Sequence, residues 1–221
     1  MTHRTALLFG ATGLVGHQCL KELLTHETYS DVILFLRNPV PMTHPKLKQH
    51  MVNFDRIQQH ADLIRGDDLY WCLGTTMRKA GSPEAFEKVD FTYPLEIARL
   101  ASANGVRQFL LVTSVGADSS SANFYLKTKG RVEEAVKVIP FRTHLVFRPS
   151  FLTGNRQEFR LGERIGITAV RALTAAPVDA LKKYRPIPAS VVAAAMVKQA
   201  LANLDGVHVF ESDEIQSIGI A

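Results

Sequence analysis

The sequence predicts a Rossmann-type α/β fold: a doubly wound parallel sheet in a single domain, with a small substrate-side lobe toward the C-terminus. Three observations predict it. Short all-apolar runs alternate with amphipathic segments along most of the 221 residues. The first of these runs stops at a glycine-rich turn, and the alternation loosens only after Pro149. Strands apolar on both sides belong to a parallel sheet covered on both faces, because each amphipathic helix must bury its stripe against one of them.

The elements follow in order. Thr5–Phe9 is a first buried strand, and from Leu14 to Leu24 the apolar residues Leu14, Val15, Cys19, Leu20, Leu23 and Leu24 recur at helical spacing. Val32–Leu36 is a second strand, completing a βαβ unit. Gln49–Phe54 reads as a third strand, followed by a helix over Arg56–Leu63. Leu69–Leu73 is a fourth strand, Pro83–Asn104 a long helix stopped by Gly105, and Phe109–Thr113 a fifth strand ending at Ser114. Tyr125–Val138 is a helix and Thr143–Phe147 a sixth strand closed by Arg148-Pro149. Beyond it, a helix is expected over Arg156–Leu173, irregular chain over Ala175–Pro188, a helix over Ala189–Leu204 and a last short strand over Val207–Glu211. This divides the domain into a cofactor-binding core, 1–149, and a substrate-side region, 150–221.

Composition narrows the function. The net charge is +5, but the basic residues are scattered and the densest group is only Lys182-Lys183-Tyr184-Arg185. Without an arginine/lysine stripe interleaved with aromatics, nucleic acid is not the expected partner, and an anionic small molecule accounts for the surplus. The two cysteines, Cys19 and Cys72, read as reduced core thiols with no metal-ligand spacing around them. The first strand begins at Thr5, which leaves no room for a signal peptide, and no apolar stretch approaches membrane-spanning length. A cytoplasmic protein is expected.

Gly10, Gly13 and Gly16 form a GxxGxxG turn between the first strand and the first helix. In that context the glycines permit the sharp turn, a close backbone approach to a pyrophosphate and tight helix–strand packing, while the free N–H groups of the helix start hold phosphate oxygens. Where an NAD-binding chain places a carboxylate, about 20 residues beyond the glycines, this chain has Leu36-Arg37-Asn38. Arg37 therefore either meets the 2′-phosphate of NADP(H) or simply solvates a strand end.

Ser114 ends the fifth strand, and Tyr125 and Lys129 open the next helix four residues apart, on one face. A lysine ammonium beside a phenol favours the phenolate and makes tyrosine a usable acid/base.

With these residues in view the sequence resembles the short-chain dehydrogenase/reductase superfamily of the atypical GxxGxxG kind, and in particular the Tat-interacting-protein group of NADPH-binding, oxidoreductase-like proteins and its bacterial relatives. The likeness is carried by GATGLVG from Gly10, CLGTT from Cys72, RKAGS from Arg78, LLVTSVGADSSSANFYLKTKGRVEE from Leu110, VFRPSFL from Val146 and NRQEFRLGE from Asn155. It implies an NADP(H) site in which Gly10, Ala11, Thr12, Gly13, Leu14, Val15 and Gly16 hold the pyrophosphate and Arg37 the 2′-phosphate. Asp55 would meet the adenine, Leu73, Gly74 and Thr75 would line the ribose and pyrophosphate, and Pro149 and Phe151 would lie by the nicotinamide. Ser114, Tyr125 and Lys129 match the superfamily's catalytic set, with Tyr125 and Lys129 also near the cofactor. Asp55 has an alternative role as the N-cap of the Arg56 helix. Arg156 and Arg160, four apart, either receive an anionic substrate group or pair with Glu158 and Glu163 on a solvated face.

The implied activity is hydride transfer from NADPH to a small carbonyl or similar acceptor. The alternative is a sensor or scaffold that binds NADPH without turnover and has a protein partner.

Overall fold

The computed structural model describes residues 3–154 and 182–221. Its centre is a sheet of seven parallel strands: β1 (Arg4–Phe9), β2 (Tyr29–Leu36), β3 (Leu47–Met51), β4 (Asp68–Trp71), β5 (Gln108–Val112), β6 (Thr143–Arg148) and, last in the chain, β9 (Gly206–Glu211). The spatial order is β3-β2-β1-β4-β5-β6-β9. The chain thus starts at the middle, works outward to β3, then returns past β1 and builds in the other direction. That reversal between β1 and β4 opens a crevice at the carboxyl ends of the strands, where ligands bind in folds of this type. Two further segments, β7 (Leu152–Thr153) and β8 (Ile187–Pro188), pair parallel as a separate ribbon.

Residues alternate across the sheet, so one strand feeds two cores. Ala6 and Leu8 face one layer, with α1 (Leu14–Thr25) and α6 (Ala189–Leu201); Leu7 and Phe9 face the other, with α4 (Tyr93–Ala103) and α5 (Phe124–Lys137). Phe9 stacks on Phe35 and Trp71, at ring-centroid distances of 4.6 and 5.3 Å. These all-apolar strands are the two-sided strands expected of a covered parallel sheet.

The structure corrects several boundaries. The third strand begins and ends earlier than Gln49–Phe54: after Met51 only the Val52 N–H still donates across, to the Leu36 carbonyl at 2.8 Å. Arg56–Leu63 does not form an α-helix: Phe54–Leu63 is a 3₁₀ segment with non-helical dihedrals at Arg56 and His60. Its N-cap is Asn53, whose side chain accepts from the Asp55 N–H, so the capping role considered for Asp55 belongs to its neighbour.

The Pro83–Asn104 helix is interrupted. It comprises α3 (Pro83–Glu87), a π turn over Lys88–Thr92, and α4. Pro94 has no N–H to offer the Asp90 carbonyl, and its ring would collide with it, so the helix widens there. A short helix α2 (Met77–Ala80) precedes it, capped by the Thr76 side chain and closed by Gly81. The final strand is the sheet's seventh, paired with β6, and a further helix α7 (Ser212–Ile220) follows. The expected Arg156–Leu173 helix, with Arg156, Glu158, Arg160 and Glu163, lies outside the described residues.

Candidate active site

Gly10 ends β1 with φ +87°. A Cβ at this position would lie 2.4 Å from the Leu73 nitrogen, so β4's continuation packs directly on the turn. A Cβ on Gly16 would lie 2.1 Å from the Gly10 carbonyl oxygen, which brings the first turn of α1 equally close. Only glycine fits either place. Gly13 N-caps α1 with no side-chain cap, leaving the helix start to offer its N–H groups and positive dipole end to an anion.

Two depressions at the carboxyl ends of the strands share Gly13, Cys72, Leu73, Gly74 and Thr75 and so form one cleft. One half is lined by Gly10, Thr12, Arg37, Asp55, Lys79 and Tyr93. Leu14, Val15, Ser114, Tyr125, Lys129, Pro149 and Phe151 line the other. Of the residues expected to bind cofactor, Ala11 and Gly16 line neither half: Ala11 is buried, and Gly16 serves the packing of the turn.

Asp55 projects from the 3₁₀ segment, pairs with Lys88 at 2.7 Å and accepts from the Tyr93 hydroxyl. Hydrogen bonding from Lys88, then from Tyr93, holds its carboxyl below the usual carboxylate range.

Ser114 follows β5 and is held by backbone bonds that continue the β5–β6 pairing beyond the strand: Thr113 N to the Phe147 carbonyl at 2.8 Å and Val115 N to the Pro149 carbonyl at 3.0 Å. α5 is locked to the same strand ends by Glu133, which accepts from Thr113 Oγ1 at 2.6 Å and from Arg148 Nε at 3.1 Å. Arg148 in turn reaches Glu211 at 3.0 Å. Tyr125 and Lys129, one turn apart on α5, therefore face Ser114 from a fixed helix. Phe86 packs on the Tyr125 ring at 5.7 Å, and Lys129 Nζ lies 5.9 Å from its centroid.

Sequence reasoning missed Asp90. It sits in the π turn, fully buried, with its carboxylate 2.7 Å from Lys129 Nζ and its second oxygen accepting from the Thr75 N–H at 2.9 Å. A Cβ on Gly74 would come within 3.2 Å of that carboxylate. One group thus joins the loop after β4 to the lysine of α5. The signal available in the sequence was Pro94, four residues on, which displaces the helix where Asp90 stands.

The electrostatics follow from this arrangement. Burial penalises charge on Lys129, but Asp90, then Tyr125, outweigh it and hold the lysine's pKa above its ordinary value. Tyr125 is shifted upward, not downward as the lysine–phenol argument alone expects. Burial is the main cause and Asp90 adds to it, while the Lys129 charge and a hydrogen bond with Ser114 pull the other way. The phenol is protonated at neutral pH.

Comparison with known proteins identifies the family. Residues 10–203 match the family model described as NAD(P)H-binding. Protein HTATIP2 of Rattus norvegicus is 39% identical over 167 residues, covering 74% of this chain and 69% of the relative. The chain belongs to the NAD(P)H-binding family. Protein FMP52 of Candida albicans is 30% identical over 208 residues, covering 91% of this chain and 90% of the relative. The UDP-glucose 4-epimerase of Thermus thermophilus, solved with NAD, matches with a TM-score of 0.67 at 16% identity, covering 96% of this chain and 81% of that one. At that identity the likeness shows the fold.

FMP52 is named as a mitochondrial protein, which overturns the expectation of a cytoplasmic location. No helix among the described residues is long and apolar enough to cross a membrane, and none of their His, Cys, Asp and Glu side chains group as a metal site. The cradle itself fits a dinucleotide: its backbone is bared by glycines that no larger residue could replace, and the helix start it leads into carries no side-chain cap.

Proposed function

We propose that this protein is an NADP(H)-dependent oxidoreductase that reduces a small carbonyl or similarly activated acceptor. The observation that carries the reading is the Ser114–Tyr125–Lys129 group, with Ser114 and Lys129 buried and Tyr125 half-buried, on the wall of a cleft continuous with the glycine cradle. NADPH supplies the hydride when bound. Gly10, Thr12, Gly13, Leu14 and Val15, with Leu73, Gly74 and Thr75, hold its pyrophosphate and ribose, Arg37 its 2′-phosphate, and Pro149 and Phe151 flank the reacting ring. Residues 1–149 form the cofactor side and 150–221 contribute the substrate side.

In this reading Tyr125 donates the proton to the acceptor oxygen, and its upward-shifted pKa suits donation in the reductive direction. Lys129 stabilises the phenolate left behind, and Ser114 hydrogen-bonds the oxygen as charge develops on it. Asp90 positions Lys129 through their ion pair.

A second reading, NADPH binding without turnover, is favoured by the same ion pair, because a lysine held by Asp90 lends less of its charge to the phenol. Oxidation of NADPH across a panel of aldehydes, ketones and quinones tests the choice. Turnover with any of them that is lost in Tyr125→Phe supports the enzyme; NADPH binding with no turnover in the whole panel supports the sensor.

A further inference from the structure

The chain's two cysteines lie far apart in sequence but meet in the fold, their sulfurs 3.9 Å apart. Cys19 comes from the middle of α1 and Cys72 from the residue after β4. Cys19 is fully buried, with Met196 Sδ 3.8 Å from its own sulfur. Cys72 is half-buried and lines both halves of the cleft. Cys72 is thus the more exposed of the two and borders the cleft, with the buried Cys19 sulfur against its own.

We propose that Cys72 and Cys19 form an oxidative modification site, at which a hydroperoxide oxidises Cys72 and Cys19 resolves it as an intramolecular disulfide beneath the dinucleotide cradle. In the first step the Cys72 thiolate attacks the terminal peroxide oxygen. An S–O bond forms, the O–O bond breaks, and the departing alkoxide or hydroxide takes a proton. In the second step Cys19 attacks the sulfenic sulfur of Cys72. The S–S bond forms, the S–O bond breaks, and the hydroxide leaves with the Cys19 proton as water. Two thiols lose two electrons and one hydroperoxide gains them.

Exposure assigns the roles. The Cys72 contact, then burial, pushes the Cys19 thiol well above its ordinary pKa, so it remains a thiol while the more accessible Cys72 reacts first.

Closing the sulfurs to a bond of about 2.05 Å draws α1 toward the end of β4. There is little slack to absorb this, since a Cβ on Gly10 would already lie 2.5 Å from the Cys72 carbonyl carbon. The disulfide therefore distorts the turn that receives the pyrophosphate and weakens dinucleotide binding. Conversely, bound dinucleotide covers Cys72. Both consequences rest on the cofactor placement proposed above; the disulfide does not.

The test is hydrogen peroxide treatment of the full chain, followed by alkylation and peptide mapping without reductant. Without nucleotide, both thiols should disappear together into a Cys19–Cys72 cross-linked peptide within one chain, reversible by a dithiol. With NADPH at a hundredfold excess over a Kd measured by calorimetry, the reaction should slow by about a hundredfold. In Cys19→Ala, Cys72 should instead be trapped as sulfenic acid and proceed to sulfinic acid. Wild-type Cys72 passing to sulfinic acid while Cys19 stays alkylatable, or disulfides formed only between chains, would overturn the site. A cross-link that forms normally but is unprotected by bound NADPH would leave the disulfide standing and overturn the cofactor placement alone.

Discussion

Two buried ion pairs sit at opposite ends of the sheet. At the amino ends of β1 and β4, Arg4 donates to Asp68, and Asp68 also accepts from the Tyr29 hydroxyl at 2.8 Å. Tyr29 is in turn 2.8 Å from the Tyr70 hydroxyl, and Arg4 Nη1 donates to the Ala200 carbonyl at 2.9 Å. Beyond the carboxyl ends, Lys129 pairs with Asp90. Both carboxylates are fully buried beside a basic side chain, so composition and burial alone cannot tell the pairs apart. Their surroundings can. At the Asp68 end only Arg4 borders a depression, and Asp68, Tyr29 and Tyr70 do not, whereas Lys129 and Asp90 both line the cleft, next to Ser114 and Tyr125. A buried ion pair is weak evidence of stabilisation by itself, and where it opens onto a cavity it is better read as electrostatic preparation of that cavity.

The largest expected effect falls at the cleft end. Tyr125→Phe keeps the ring and its packing on Phe86 but removes the proton, and should lower kcat by about 10²–10⁴-fold, the usual worth of a positioned general acid. Calorimetry should find NADPH affinity nearly unchanged. A variant that turns over like the parent would remove Tyr125 from the chemistry and make the two ends of the sheet equivalent.

The opposite signature is expected at the other end. Asp68→Ala leaves Arg4 charged, buried and short of its partner, and should cost about 3–5 kcal/mol in urea unfolding, with NADPH affinity per folded molecule and kcat intact. Burial, opposed by Arg4 and Tyr29, pushes the Asp68 carboxyl up to about 6. Because the folded value lies above the unfolded one, the stability this group contributes is complete below pH 3.8 and is lost as pH rises through about 6. Asp68→Asn should flatten the unfolding free energy across that window. A slope of the same size in the variant would assign the pH dependence elsewhere.

A smaller effect sharpens the comparison inside the cleft. Arg37→Ala should weaken NADPH by about 1.5–3 kcal/mol, the range for a hydrogen bond to a charged group, and leave NADH nearly untouched. Equal affinities for the two cofactors in the unaltered protein would return Arg37 to the role of a solvated strand end.

What could be read from the sequence was what is local in it. The GxxGxxG turn spans seven residues, Tyr125 and Lys129 lie one helical turn apart, and each carries its geometry in its spacing. The β strands were legible for the same reason, since a short apolar run bounded by turn residues is a local signal. Asp90 was not legible, because its meaning comes from Thr75 and Lys129, brought to it by the loop after β4 and by α5, and from a π turn that periodicity cannot display. Cys19 is the core thiol the sequence suggests, whereas Cys72 is half-buried on the cleft, and their contact depends on how α1 crosses the end of β4. Helix α7 escaped notice because Ser212–Ile220 is short and follows β9 without a break. The Phe54–Leu63 segment was misread because its 3₁₀ turns carry polar residues at nearly helical spacing.

The finest test of the comparison lies in Asp90 itself. Asp90→Asn is nearly isosteric, and its amide oxygen can still accept from the Thr75 N–H, so the loop after β4 should hold its place. What disappears is the charge facing Lys129. Asp90 raises the pKa values of both Lys129 and Tyr125, and its removal should therefore lower both. At neutral pH the Lys129 charge becomes more available to the phenol, and the change in kcat should stay within about tenfold. The diagnostic readout is the pH profile: the alkaline limb of kcat, where Tyr125 loses the proton it must donate, should move to lower pH. A merely structural role for Asp90 would instead lower thermal stability and the amount of active protein while leaving that limb where it was. If the limb moves, the pair at the carboxyl ends tunes the chemistry; if it stays, Asp90 is a second Asp68, holding the fold from the other end of the sheet.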